Sequence, residues 1–88
     1  MSQLSYQVHV QRIDTSLNMA RFYRLAIQPT LFGNLCVVRN WGRIGTRGQE
    51  RVDLLESEAQ AVSLFLEILR TKRRRGYRPA ARAANYPK

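Results

Sequence analysis

The residues best placed to do chemistry in this 88-residue chain are cations and one aromatic, and the chemistry they suit is the holding of anions. Arg39, Trp41, Arg43, Arg47 and Arg51 all stand at odd positions, in a segment punctuated by Gly42, Gly45 and Gly48. In an extended chain successive side chains alternate, so Arg39, Trp41 and Arg43 are expected on one face. A flat indole flanked by guanidinium groups can stack on a base or sugar while the cations hold phosphates. The glycines, Gly42 first, let the backbone approach a ligand closely and offer N–H groups to an anion. The segment also has a plainer reading, in which Trp41 caps the core and the glycines form a hairpin turn. A second run, Arg70 to Arg78, places six cations in nine residues with Tyr77 among them. Cations at a helix C-terminus complement the macrodipole, but Lys72, Arg73, Arg74 and Arg75 together exceed what that requires. Phosphate contact by these four is expected.

The rest of the inventory argues against catalysis. The chain has one His, one Cys and six scattered acids. His9 falls on the polar side of an alternating segment and reads as a solvated surface histidine rather than a catalyst. No second Cys or His stands at metal-ligand spacing, so neither a metal nor a cofactor is expected. The glycines of 42–48 are not followed by the Gly-Lys-Ser/Thr of a nucleotide-binding loop, and no nucleophile motif is present. No catalytic residue is assigned, and the chain is read as non-enzymatic. Cys36 lies in an apolar run and is expected to be a buried, reduced thiol.

Net charge points to the partner. Fifteen Lys and Arg face six Asp and Glu, for a formal +9, and thirteen of the fifteen are arginine. Arginine presents a rigid fork of donors suited to phosphate. Such an excess repels itself in a compact chain unless a polyanion relieves it. Nucleic acid is the expected partner, DNA ahead of RNA, with a separate protein chain as the alternative. No apolar run approaches the roughly 18 residues of a membrane span. The N-terminal MSQLSYQVHV has no basic region leading into a hydrophobic stretch, so no signal peptide is read. A cytoplasmic location without a membrane partner is expected.

The elements that must position these residues follow from periodicity. Leu4, Tyr6, Val8 and Val10 alternate with Ser5, Gln7, His9 and Gln11, the pattern of a half-buried strand. Asp14 to Asn18 is a turn cluster. Arg21 to Gln28, Leu35 to Arg43 and Glu50 to Leu55 are further strand-like runs, joined by short connections into an antiparallel meander. The period then changes. Ser57 with Gln60 matches a capping box, and Ala59, Val62, Phe65, Leu66 and Leu69 recur at helical steps. The helix is expected from Glu58 to Arg74, ended by Gly76. Its apolar stripe must be buried, and the sheet is the surface available. The fold is therefore read as α+β, a single-domain four-stranded antiparallel sheet with one C-terminal α-helix on one face. The domain is read over 1–78, with 79–88 as a basic tail. The edge strands leave the oligomeric state open.

At these residues the sequence resembles the WGR domain family. Trp41-Gly42-Arg43 is the tripeptide of the name, and Val38-Arg-Asn-Trp-Gly-Arg-Ile-Gly-Thr46 follows the family's pattern around it. Ala20-Arg-Phe-Tyr-Arg-Leu-Ala-Ile27 resembles the family's strand with an aromatic pair. The helix with Phe65 and a basic end leading to Gly76-Tyr77 resembles its closing segment. The resemblance spans residues 4–78, with three motifs in order, and is to small stand-alone proteins of bacterial type. It implies a compact sheet-plus-helix fold associated with nucleic-acid binding. In the poly(ADP-ribose) polymerases the domain helps to recognise broken DNA ends and touches neighbouring domains. On that likeness Trp41 would pack against a terminal nucleotide, and Arg43 would join contacts to DNA or to another domain. Docking on a separate catalytic or regulatory chain through the Trp41/Arg43 surface is the alternative the resemblance carries. The 88 residues include no catalytic domain, zinc finger or helical regulatory domain of those enzymes.

Overall fold

Strand β2 (Met19–Pro29) is the centre of the molecule, because it alone alternates two apolar faces along most of its length. Tyr23, Leu25 and Ile27 point to one side and Phe22 and Ala26 to the other, and all five are buried. A computed structural model describes residues 6–80. Within them β2 pairs antiparallel with β1 (Tyr6–Asp14) on one side and with β3 (Leu35–Arg43) on the other. Strand β4 (Gln49–Leu55) pairs with the far side of β3. The helix α1 (Glu58–Arg74) follows, and β5 (Arg78–Pro79) pairs with the outer edge of β1.

The sheet therefore has five strands in the order β4-β3-β2-β1-β5, where the sequence reading has four. The difference is a two-residue strand. Val10 pairs with Pro79, Gln11 with Arg78, and the Ala80 amide donates to the His9 carbonyl. So short a strand has no alternation to betray it, and Pro79 is tolerated because it sits at a sheet edge. The tail read over 79–88 lies, from residue 81 onward, outside the described residues. The strand read over 4–10 runs instead to Asp14, where a single 3-10 turn (Thr15–Leu17) reverses the chain. Asp14 Oδ1 accepts from the Ser16 amide and hydroxyl, and Asn18 takes the left-handed conformation that closes the turn.

Helix α1 begins as its sequence dictates. Ser57 Oγ accepts from the Gln60 amide at 3.1 Å, and the Gln60 side chain reaches back to accept from the Glu56 amide. Its buried side is Ala61 and Phe65, flanked by Val62, Leu64, Ile68 and Leu69. The expected stripe is rotated: Ala59 and Leu66 face solvent, while Leu64 and Ile68 complete the contact. A helix this apolar offers more than one stripe, and only the sheet surface selects between them. The core unites those residues with Val10, Tyr23, Leu25, Ile27, Val37 and Tyr77. Leu25, Ile27 and Val37 are wholly enclosed, each worth about 1.5–3 kcal/mol of burial.

On the opposite face, Cys36 is buried as a free thiol. His9 shares that face, but it is half-buried rather than solvated. Its ring meets Phe22 edge-on at 6.3 Å, and burial, with Arg24 nearby, holds its pKa below the usual value.

Candidate nucleic-acid interface

The alternation that puts Val37 in the core carries Arg39, Trp41 and Arg43 onto the same face of β3. Register then decides their neighbours. Trp41 lies opposite Tyr23, and Arg43 opposite Arg21. The Trp41 and Tyr23 rings stack with centroids 6.0 Å apart and planes 21° from parallel. One pair further out, Arg12 of β1 stands opposite Arg21, so three arginines follow one another across β1, β2 and β3. Like charges directly opposite in a sheet are destabilising, so this row is held against its own repulsion.

Gly42 explains why the strand carries a glycine between these two residues. It faces the other way, onto Phe22, and a Cβ there would lie 2.8 Å from the Gly48 backbone. Gly48, at φ +76°, packs against the Trp41 carbonyl and the Phe22 ring. Two glycines thus let the β3–β4 connection fold back flat on Phe22. Asn40 ties it down, donating to the carbonyls of Gln49 (2.8 Å) and Arg47 (3.2 Å). Thr46 donates to the Arg43 carbonyl at 2.7 Å, and Arg43 Nη1 donates to the Asn18 carbonyl at 3.3 Å. The connection is a turn, and Trp41 borders the core, as the plainer reading had it. Trp41 is nevertheless only half-buried.

The helix end completes the site. After Arg75 the chain enters Gly76 at φ +96°, and the Gly76 and Tyr77 amides donate to the carbonyls of Arg73 and Lys72. This pair of bonds is the Schellman closure, which needs a residue free to adopt positive φ. It turns Tyr77 back into the core, edge-on to Tyr23 with centroids 6.4 Å apart. Lys72 Nζ then lies 4.4 Å above the Tyr23 ring and 5.3 Å from that of Tyr77. Burial, followed by the charges of Arg75, Arg21 and Arg39, depresses the Lys72 pKa. Desolvation and like charge both disfavour the charged amine here.

A cleft of about 490 Å³ results, lined by Arg21, Tyr23, Trp41, Gly42, Arg43, Gln49, Lys72 and Tyr77, with Phe22 at its margin. Of the sequence-expected residues it gathers Trp41, Gly42, Arg43 and Lys72. Arg39 and Arg75 lie outside it, along an adjoining groove with Tyr23, Thr71 and Lys72. Arg39 is engaged there, Nη2 to Asp53 Oδ2 at 3.0 Å, and Asp53 also takes Arg51 at 3.3 Å. Arg73 and Arg74 face a different cleft altogether. Arg47 sits exposed on the turn and lines none of the three. Arg21 and Arg12 are the residues sequence reasoning missed. The period-two pattern through Tyr23, Leu25 and Ile27 places Arg21 on the same face, but its meeting with Arg43 is a matter of register. Among the described residues no group of acids, His or Cys could hold a metal, and no helix is long and apolar enough to cross a membrane.

Comparison with known proteins identifies the family. A family model described as the WGR domain matches residues 6–84. Over 74 residues, 84% of this chain, the sequence is 55% identical to the uncharacterized protein y4dW of Sinorhizobium fredii. The matched stretch spans 36% of that relative's length. No solved structure matches the chain. WGR domains are binding modules, and in poly(ADP-ribose) polymerase-like proteins they bind nucleic acid. The chain belongs to the WGR domain family.

Proposed function

We propose that this protein is a non-enzymatic nucleic-acid-binding module whose ligand enters the Trp41 cleft. The observation that carries the reading is the Arg21–Arg43 pair, set directly opposite in register beside the Trp41–Tyr23 stack and beneath Lys72. Repulsion among these cations is relieved by phosphate, and the half-exposed indole offers a flat apolar partner to a base or terminal sugar. Arg43, Arg21 and Lys72 contact phosphates, with Arg12 and Arg47 at the margins. Gly42 borders the cleft between Trp41 and Arg43. Arg39, taken up by Asp53, and Arg75 act from the adjoining groove by raising the local potential.

An indole that can stack only on an unobstructed base or sugar favours ends and single strands over internal duplex. DNA is the expected ligand ahead of RNA, with weak sequence choice, because phosphate contacts carry no sequence information. Trp41 is the sole tryptophan, so its fluorescence reports on the cleft directly. Titration with blunt duplex, nicked duplex, single-stranded DNA and RNA across a salt series tests the reading. Quenching of Trp41 should accompany binding, and log K should fall steeply with log salt. Absence of binding at low salt, or binding indifferent to salt, would overturn it.

The second reading is docking onto an acidic protein chain through the same cleft. It is favoured by the length of the rhizobial relative, in which the matched segment is 36% of a longer chain. Retention of an acidic partner after nuclease treatment, with no shift of nucleic acid, would select it.

A further inference from the structure

The run Lys72 to Arg75 looks like one patch in sequence, yet the helix end divides it. Successive helical residues are turned by about 100°. Lys72 and Tyr77 therefore face the Trp41 cleft, whereas Arg73, Arg74 and Arg78 face away from it. These three, with Arg70 and Pro79, line a separate cleft of about 450 Å³. Four guanidinium groups share this space, and all four residues are exposed. Among the described residues the ion pairs involve only Arg39, Arg51 and Asp53, so no carboxylate neutralises the four. Arg78 Nη1 is held by the carbonyls of Tyr77 (3.2 Å) and Arg73 (3.5 Å), which fixes it over the last turn of the helix. Helix capping accounts for one or two cations at the terminus, not for a ring of four that includes a strand residue.

We propose that this second cleft binds phosphodiesters of a nucleic acid already held at Trp41, so that a duplex straddles the end of α1. The proposal rests on the nucleic-acid reading of the Trp41 cleft. The two clefts share the helix terminus as their divider, with Lys72 beside Arg73 and Tyr77 beside Arg78. Their separation is thus about one helix diameter, roughly 10 Å, close to the roughly 12 Å width of a duplex major groove. A single strand short enough to fill only the Trp41 cleft cannot reach both. A duplex stacked by its end on Trp41 presents further phosphates at that distance.

The test compares the wild-type chain with the quadruple variant Arg70→Gln, Arg73→Gln, Arg74→Gln, Arg78→Gln and with the milder pair Arg73→Gln, Arg74→Gln. Glutamine keeps helix propensity and removes charge. Far-UV circular dichroism and an unchanged Trp41 emission establish that each variant is folded with its first cleft intact. If the quadruple does not fold, the pair carries the test alone. With a blunt duplex, each phosphate contact contributes about 0.9 to the salt slope, so the quadruple should lose roughly 2–4 from it and the pair roughly 1–2. With a trinucleotide, affinity and Trp41 quenching should stay at wild-type values. Equal losses for duplex and trinucleotide would reduce the four arginines to a general potential and overturn the proposal. An unchanged duplex slope would overturn it too. Inorganic pyrophosphate is the third probe. If the variants lose pyrophosphate binding while keeping the duplex slope, the cleft is a free-phosphate site and the proposal fails. Failure of the wild-type chain to bind any nucleic acid would instead remove the underlying reading.

Discussion

Trp41 and Tyr23 face each other across β3 and β2, their rings stacked at 6.0 Å, and Lys72 caps the Tyr23 ring at 4.4 Å. One side of the indole thus belongs to the core while the remainder faces the cleft. Base–aromatic stacking is worth about 1–3 kcal/mol, so Trp41→Ala should weaken binding to ends and single strands by roughly 5- to 150-fold. Internal duplex should be affected much less. Trp41→Phe keeps a smaller ring and should retain part of the affinity. Fluorescence anisotropy with labelled oligonucleotides checks both variants, and thermal unfolding separates binding from the stability loss of a truncated aromatic.

Lys72 gives the cleft a dependence on pH. Its pKa is depressed, first by burial and then by Arg75, Arg21 and Arg39. Between that lowered value and the ordinary 10.5, the unfolded chain binds more protons than the folded one, so stability from this group rises with pH across the window. Ligand binding runs the opposite way, because phosphate favours the charged amine. Affinity should be full below the lowered pKa and decline as pH rises through it, before an ordinary lysine would titrate. Lys72→Arg stays charged throughout and should abolish the decline. Dissociation constants measured from neutral pH up to the ordinary lysine value check this.

The flat β3–β4 connection depends on Gly48. At φ +76° a side chain is strained, and a Cβ would collide with the Trp41 carbonyl and approach the Phe22 ring to 2.9 Å. Gly48→Ala should cost about 2–4 kcal/mol. For a domain of this size that lowers the melting temperature by roughly 10–25 °C. Gly45, also at positive φ, has nothing within 4 Å of an added Cβ, so Gly45→Ala carries only the backbone strain and should be milder. Differential scanning calorimetry of the two variants distinguishes packing from conformation.

Asp53 holds Arg39 at 3.0 Å, with both side chains 22% exposed. Arg39 Nε is buried without a hydrogen-bond partner, so the carboxylate is what makes this guanidinium tolerable. Asp53→Asn should destabilise the fold by about 1–3 kcal/mol. Arg39→Met combined with Asp53→Asn should recover part of that loss, which a double-mutant cycle by denaturant unfolding measures. If Arg39 supports the cleft rather than touching ligand, Arg39→Met should change nucleic-acid affinity far less than Arg43→Met.

Much of this protein is determined by sequence alone. Ser57 and Gln60 specify where α1 starts, Gly76 where it stops, and the alternation of β2 and β3 assigns Tyr23, Val37, Arg39, Trp41 and Arg43 to one face. These are local matters, settled by hydrogen bonds and dihedral preferences within a few residues. The family, too, is legible in the linear motifs. What only the tertiary structure decided is who meets whom. Register set Arg43 against Arg21, and Arg21 against Arg12. The Schellman closure at Gly76 brought Tyr77 and Lys72 onto Tyr23, and helical phase sent Arg73 and Arg74 to the far side. Asp53 drew Arg39 out of the group of free cations. Apart from the helical phase and the closure at Gly76, these meetings join residues distant in the chain, whose approach is fixed by strand register and by packing the sheet against the helix. The strand Arg78–Pro79 shows the same limit at its smallest scale: two residues carry no period, and only the exposed edge of β1 makes them a strand.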